Sequence, residues 1–217
     1  MIVAIDGPAG AGKSSVSRLL AERLGFQFLD TGAMYRAVAL AALERGLGDG
    51  DAAKIAAMTP TLQLDFSGDR VLLNSRDVTN DIRTSRVSAA VYLAADNPQV
   101  REKMVDLQRQ IAAARDTVTE GRDQGTVAFP HAQCKIFLTA TPEERARRRH
   151  AELQARGEEI SFEEVLAQNA ARDLRDSTRS VGRLSKADEA VEVYTDGMTS
   201  EQVIDRLEGI VRESRAK

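Results

Sequence analysis

The chain has 217 residues, 42% hydrophobic and 29% charged, which suits one globular unit with a full core and small insertions. A formal net charge of −3 excludes the strongly basic surface needed for general attraction to a nucleic-acid backbone or an anionic membrane, and no run approaches the roughly 18 apolar residues of a membrane span. Cys134 is the single cysteine, so no internal disulfide forms, and no basic segment with a hydrophobic signal precedes the first apolar run; a cytoplasmic protein is expected.

Ile2, Val3, Ala4 and Ile5 form an apolar run suited to a strand buried on both faces. It leads into Gly7-Pro8-Ala9-Gly10-Ala11-Gly12-Lys13-Ser14, the pattern G-x-x-x-x-G-K-[ST] of a phosphate-binding loop, with Ser15 following. Gly7, Gly10 and Gly12 let the backbone curl so that successive amides point inward. Lys13 suits the terminal phosphates of a nucleoside triphosphate, and the Ser14 hydroxyl suits magnesium. Val16, Leu19, Leu20 and Leu24 then recur at helical spacing, so strand, loop and helix come in the order such a loop requires.

A second strand is expected at residues 26–29, followed by a helix capped by Thr31 whose free amides suit an anion. Tyr35 and Arg36 lie about one turn into it; Arg36 is either a solvated surface arginine or part of an anion site. Residues 62–78 predict an antiparallel hairpin turning at Ser67-Gly68-Asp69. A strand at 117–119 runs into Glu120-Gly121-Arg122-Asp123, which is either a turn with a local ion pair or a group serving magnesium, a phosphate and a base or sugar. Strand 134–138 carries Cys134 as a buried structural thiol, and the last strand candidate is 190–194. Alternation of these runs with helical patterns predicts an α/β protein with a parallel sheet covered on both faces.

Thr141 with Pro142 and Glu144, Ser161 with Glu164, and Thr199 with Gln202 mark three helix starts. Residues 142–183 predict two helices broken near Gly157, with Leu153, Phe162, Val165, Leu166 and Leu174 as nearly all their large apolar residues; such a hairpin should dock loosely, as mobile lids do. Arg145, Arg147, Arg148 and Arg149 crowd its first helix, as a solvated charged face or as fingers for a transferring phosphoryl group. Arg172, Asp176 and Arg179 share one face of the second, either pairing among themselves or gripping a phosphate and a sugar hydroxyl. His131 and His150 lack any metal-ligand pattern and are expected at the surface.

Taken in order, IDGPAGAGKS, LDTGAMYRA, DIRT, NPQVRE, EGRDQGTVAFP, KIFLTATPEERARRR and ARDLRDSTR resemble bacterial cytidylate kinases, in the nucleoside monophosphate kinase group, over nearly the whole chain. The resemblance implies a P-loop kinase: a five-stranded parallel sheet core (about 1–36, 98–141 and 184–217), a monophosphate-binding insertion with the small antiparallel hairpin (about 37–97) and a helical lid (about 142–183). It implies phosphoryl transfer from ATP to CMP or dCMP with Mg2+; nothing in the sequence compels an oligomer, and a monomer is expected. Gly7, Pro8, Ala9, Gly10, Ala11, Gly12, Lys13, Ser14 and Ser15 would then hold ATP, with Ser14 beside the magnesium, and Arg148 would meet the donor phosphates. Arg36, Arg122 and Arg179 resemble the arginines that hold the acceptor phosphate. Arg101 and Asp123 resemble the pair that reads cytosine; Thr31, Arg172 and Asp176 resemble the sugar-side contacts, and Tyr35 belongs to the same CMP-binding set. Tyr92 stands where the family often has a serine that helps read cytosine. A kinase for UMP or AMP, or a nucleotide switch, is the competing reading; the absence of an N-K-x-D motif counts against a GTPase.

Overall fold

Ile2–Asp6 (β1) is buried on both faces because it is the central strand of a parallel sheet. Thr117–Gly121 (β6) pairs along one edge and Cys134–Thr139 (β7) along the other. Gln27–Asp30 (β2) and Val191–Tyr194 (β8) complete a five-stranded parallel sheet of order β2-β6-β1-β7-β8. These strands answer the five apolar runs of the sequence. The register sets Asp6 opposite both Gly121 and Phe137, so the P-loop leaves β1 where Arg122 and Asp123 leave β6.

The computed structural model describes residues 1–67 and 70–215. Two units are distinguished: Met1–Leu29 with Ala112–Lys217, and Asp30–Ile111. In the first, Lys13–Leu24 (α1) and Ser200–Arg215 (α9) cover one face of the sheet, burying Val16, Leu20, Ile204 and Leu207 against Val3, Ile5, Val118, Ile136 and Leu138. Cys134 lies in this core, where burial raises its thiol pKa, as expected of a structural cysteine. Arg23 of α1 bridges Glu201 and Asp205 of α9 on the surface.

Pro142–Ala155 (α7) and Phe162–Thr178 (α8) form the expected hairpin. Thr141 caps α7, and Ser161 and Glu164 form a reciprocal capping box on α8. Its small core is Ala146, Leu153 and Val165, with Ile160, Phe162 and Leu166 packed alongside. Leu174 does not join it; on the C-terminal half of α8 it is 65% exposed. His150 departs from its expected surface placement: it is half-buried, bonded through Nε2 to the Ile160 carbonyl and edge-on to Phe162, because it faces the loop that closes the hairpin. His131 is exposed.

In the second unit, Thr31–Glu44 (α2) is nearly all buried, Met34 and Val38 fully so, and Ile55, Ile82 and Met104 of this unit are buried as well. Thr31 is the first residue of this helix and not its cap. The Asp30 carboxylate accepts from the Ala33 amide at 2.9 Å, and a charged oxygen at a helix start outcompetes the neighbouring hydroxyl. Ala52–Met58 (α3) precedes the hairpin of Leu64–Ser67 (β3) and Arg70–Leu73 (β4). The turn expected at Gly68 lies outside the described residues. A third strand, Arg76–Asp77 (β5), joins through Asn74 and Ser75, both at positive φ, as a tight two-residue turn requires. Ser85–Ala90 (α4), Tyr92–Ala95 (α5) and Pro98–Ala112 (α6) follow.

Gly7 has φ 152°, and a Cβ there would stand 2.0 Å from the Leu138 carbonyl oxygen of β7. The obstacle is sheet backbone, which cannot step aside. Gly7→Ala is therefore predicted to destabilise the fold by about 2 kcal/mol or more, lowering the thermal midpoint by roughly 4–8 °C. An unchanged midpoint in a melting experiment would refute the close approach.

Candidate active site

The loop after β1 is held by its own lysine. Lys13 Nζ donates to the Pro8 carbonyl at 2.7 Å, and Gly10 and Gly12 turn the chain at positive φ so that α1 begins beneath it. Burial, and then the nearby Arg122 charge, push the Lys13 pKa down to about 7 in the ligand-free protein. A lysine held this way is poised to gain from a polyanion. Ser14 and Ser15 are exposed at the start of α1, and Ser14 Oγ donates to Glu120 Oε1 at 2.7 Å. Glu120 is buried at the end of β6. Hydroxyl and carboxylate oxygens side by side make the hard donor set that magnesium prefers.

Asp6 ends β1, its carboxylate accepting from the amides of Gln124 at 2.8 Å and Gly125 at 2.7 Å. Burial raises its pKa to about 6 against those hydrogen bonds. The bonds fasten the π-helical turn Gln124–Ala128, whose first carbonyl belongs to the buried Asp123 and accepts from Val127 and Ala128.

The four arginines of α7 divide by environment. Arg147 and Arg149 pair with the local glutamates Glu144 and Glu152, Arg147 exposed and Arg149 half-buried. Arg145 is buried, donating to the carbonyls of Ala140 and Ala9 and to Asp173. Arg148 is braced by Glu144 and by the Thr195 hydroxyl and carbonyl, with Nη1 within 3.8 Å of where a Gly12 side chain would begin. Its guanidinium thus stands beside the glycine that opens α1.

On α8, the Asp176 carboxylate accepts from Arg122 Nε at 2.7 Å and stands 3.5 Å from Arg179. Burial opposes the charge on both Asp176 and Arg122, but each outweighs that cost for the other: the carboxyl lies below its usual range and the guanidinium above. Arg179 has left the helix, with extended backbone and Nε on the Gly182 carbonyl, yet its charge returns to Asp176. Arg172 is half-buried and acts electrostatically on both Lys13 and Asp176.

The second unit holds the remaining expected residues. Thr31 and Tyr35 are buried. Arg36 Nη1 donates to the Ile82 carbonyl at 3.0 Å and Ser88 Oγ at 2.7 Å. Arg101 is buried, donates to the Ala95 carbonyl, and lies 5.2 Å from the Tyr35 ring centroid. The Tyr92 hydroxyl donates to Asp49 at 2.7 Å.

A family model described as cytidylate kinase matches residues 3–213. The chain belongs to the cytidylate kinase family. It is 50% identical to a cytidylate kinase of Rhodopirellula baltica, covering 98% of this chain and 93% of that one. It is 46% identical to one of Geobacter sulfurreducens over the same shares, and 48% identical to one of Carboxydothermus hydrogenoformans over 97% of each chain. Among solved structures, a gluconokinase of Sinorhizobium meliloti is similar at a TM-score of 0.50 and 16% identity, covering 99% of this chain and 93% of that one, which shows the fold alone. No helix among the described residues is long and apolar enough to cross a membrane.

Three residues not singled out from sequence bond to the P-loop, the turn after β6 or the arginines of α7: Asp6, Asp173 and Thr195. Asp6 left a signal, a carboxylate ending an otherwise apolar strand, and Asp173 lies within the ARDLRDSTR stretch; Thr195 left none. Because the Lys13 pKa in the folded chain lies below its unfolded value of 10.5, the unfolded state binds more protons between about pH 7 and 10.5, and stability rises with pH across that window. Lys13→Met removes this contribution. Between about pH 7.5 and 9.5, urea unfolding of ligand-free protein should show a rise about 2 kcal/mol smaller in the variant. Equal slopes would mean that Lys13 is not desolvated.

Proposed function

We propose that the protein transfers the terminal phosphoryl group of ATP to CMP, giving ADP and CDP, and accepts dCMP as well. Family membership supplies the reaction; the observation that carries the site assignment is that the first unit gathers Lys13, Arg148, Ser14 with Glu120, and the Arg122–Asp176–Arg179 cluster. Phosphoryl transfer is mostly alignment and stabilisation of a loose, highly charged transition state, so a preformed set of cations is the main requirement.

The loop Gly7 to Ser15 wraps the donor phosphates, the amides of Gly10 to Ser15 cradle them, and Lys13 regains its full charge beside them. Ser14, with Glu120 behind it, would hold magnesium, which would supply positive charge to the donor phosphates. Arg148, already braced beside Gly12, meets the donor phosphates. Arg122, Arg179 and Arg36 hold the acceptor phosphate; Asp176 keeps the first two in position before the acceptor arrives, which lowers the reorganisation needed during reaction. Arg101, stacked on Tyr35, and Asp123 read cytosine. A carboxylate suits the exocyclic amine of cytosine, and uracil would leave it buried and unmatched. Thr31, Arg172 and Asp176 take the sugar. No dedicated base is needed. The protein acts as a cytoplasmic monomer.

Initial rates with MgATP and each of CMP, dCMP, UMP and AMP test the reading. CMP is expected to be the best ribonucleotide acceptor; a preference for UMP or AMP would overturn the assignment of Arg101 and Asp123. Asp123→Asn should reduce the preference for CMP over UMP about tenfold or more, and retention of the full preference would remove Asp123 from base reading. Lys13→Ala should lower kcat about 100-fold or more; near-normal turnover would contradict its role.

A further inference from the structure

The roles above leave Asp173 of α8 unassigned, although it lies between Arg172 and Asp176. Oδ1 accepts from the Ala9 amide of the P-loop at 3.4 Å, and Oδ2 accepts from Arg145 Nη1 at 2.5 Å. The same Nη1 donates to the Ala9 carbonyl at 2.9 Å, and Arg145 Nε donates to the Ala140 carbonyl at 3.1 Å. The Arg145 side chain is only 8% exposed, and its backbone packs over Gly10, where a Cβ would stand 2.9 Å from the Arg145 carbonyl oxygen. One guanidinium and one carboxylate therefore join three segments: the first half of the P-loop, the start of α7 and the middle of α8.

The apolar anchors Phe162, Val165 and Leu166 of α8 lie in its first half, and Leu174 faces solvent. In the C-terminal half the contacts include Asp173 to Ala9 and Arg145, and Asp176 to Arg122 and Arg179. A charge-assisted pair of this kind imposes geometry as well as attraction. Ala9 belongs to the loop that must wrap the donor phosphates. Any adjustment of that loop on filling therefore passes to Asp173 and along one helical turn to Arg172 and Asp176.

We infer that Asp173, held by Arg145, is a positioning residue that sets the acceptor-side groups of α8 against the P-loop, so that donor occupancy tightens acceptor binding. The inference rests on the assignment of Arg172 and Asp176 to the acceptor. Asp173→Asn keeps the shape and removes the charge.

The test measures CMP affinity by calorimetry with and without a non-hydrolysable ATP analogue, together with KM for CMP, kcat and the thermal midpoint. In the parent protein the analogue should tighten CMP binding. In Asp173→Asn about fivefold or more of that tightening should be lost, with a raised KM for CMP and analogue affinity changed less than about twofold. Asp173→Glu should restore part of the coupling. A purely structural fastening would lower the thermal midpoint and leave the coupling intact, which overturns the inference, as does a parent protein without coupling. If Asp173→Asn unfolds at assay temperature, Arg145→Lys, which keeps the charge and loses the fork, carries the same readout. Asp176→Asn separates the two layers. If it leaves KM for CMP unchanged, the acceptor assignment of α8 fails; if it raises KM while Asp173→Asn does nothing, only the positioning role falls.

Discussion

The turn at Gly7 against the Leu138 carbonyl is the constraint on which the first unit depends. A Cβ at this point has no room, since the neighbouring β7 backbone would be 2.0 Å away. With glycine there, β1 stays flat between β6 and β7 to its last residue, and the loop curls back at once. Lys13 then lands on the Pro8 carbonyl and Ser14 against Glu120. The parallel register does the rest, bringing the end of β6 level with the end of β1. Phosphate loop, acidic partner and Arg122 converge because three strand ends coincide.

The first unit gathers charges that the rest of its core would reject. Lys13, Glu120, Asp123 and Asp176 are all buried. Burying charges is costly unless geometry and hydrogen bonds compensate. Arg122 and Asp176 compensate one another, and the pKa directions say so. Lys13 is compensated only in part, and its proton is correspondingly loose. Under the proposed function, donor phosphates would supply the negative charge that completes this compensation.

Four arginines within five residues of α7 show how tertiary packing divides labour among identical side chains. Helical spacing does not divide them, since Arg148 and Arg149 lie three and four residues from Arg145; yet Arg145 reaches Ala9 and Arg148 reaches Thr195, while Arg147 and Arg149 pair with local glutamates. Arg145 is then used up by carbonyls and Asp173, while Arg148 is braced by Thr195, a residue on the far side of the fold in sequence.

The sequence by itself determined the parallel sheet, the phosphate loop, the helix starts at Thr141, Ser161 and Thr199, the lid hairpin and the family, because each rests on neighbours within a few positions. Apolar runs, capping boxes and glycine spacing are local interactions written in local order. It could not choose between Asp30 and Thr31 as the cap of α2, where two adjacent oxygens compete and the carboxylate wins. Nor could it place His150 in the α7–α8 hairpin, turn Leu174 outward, or divide Arg145 from Arg148. Those outcomes depend on partners distant in the chain: Ile160 for His150, Asp173 and Ala9 for Arg145, Thr195 for Arg148. A side chain's charge and spacing are legible from its neighbours, but what satisfies that charge is decided only when the chain has folded.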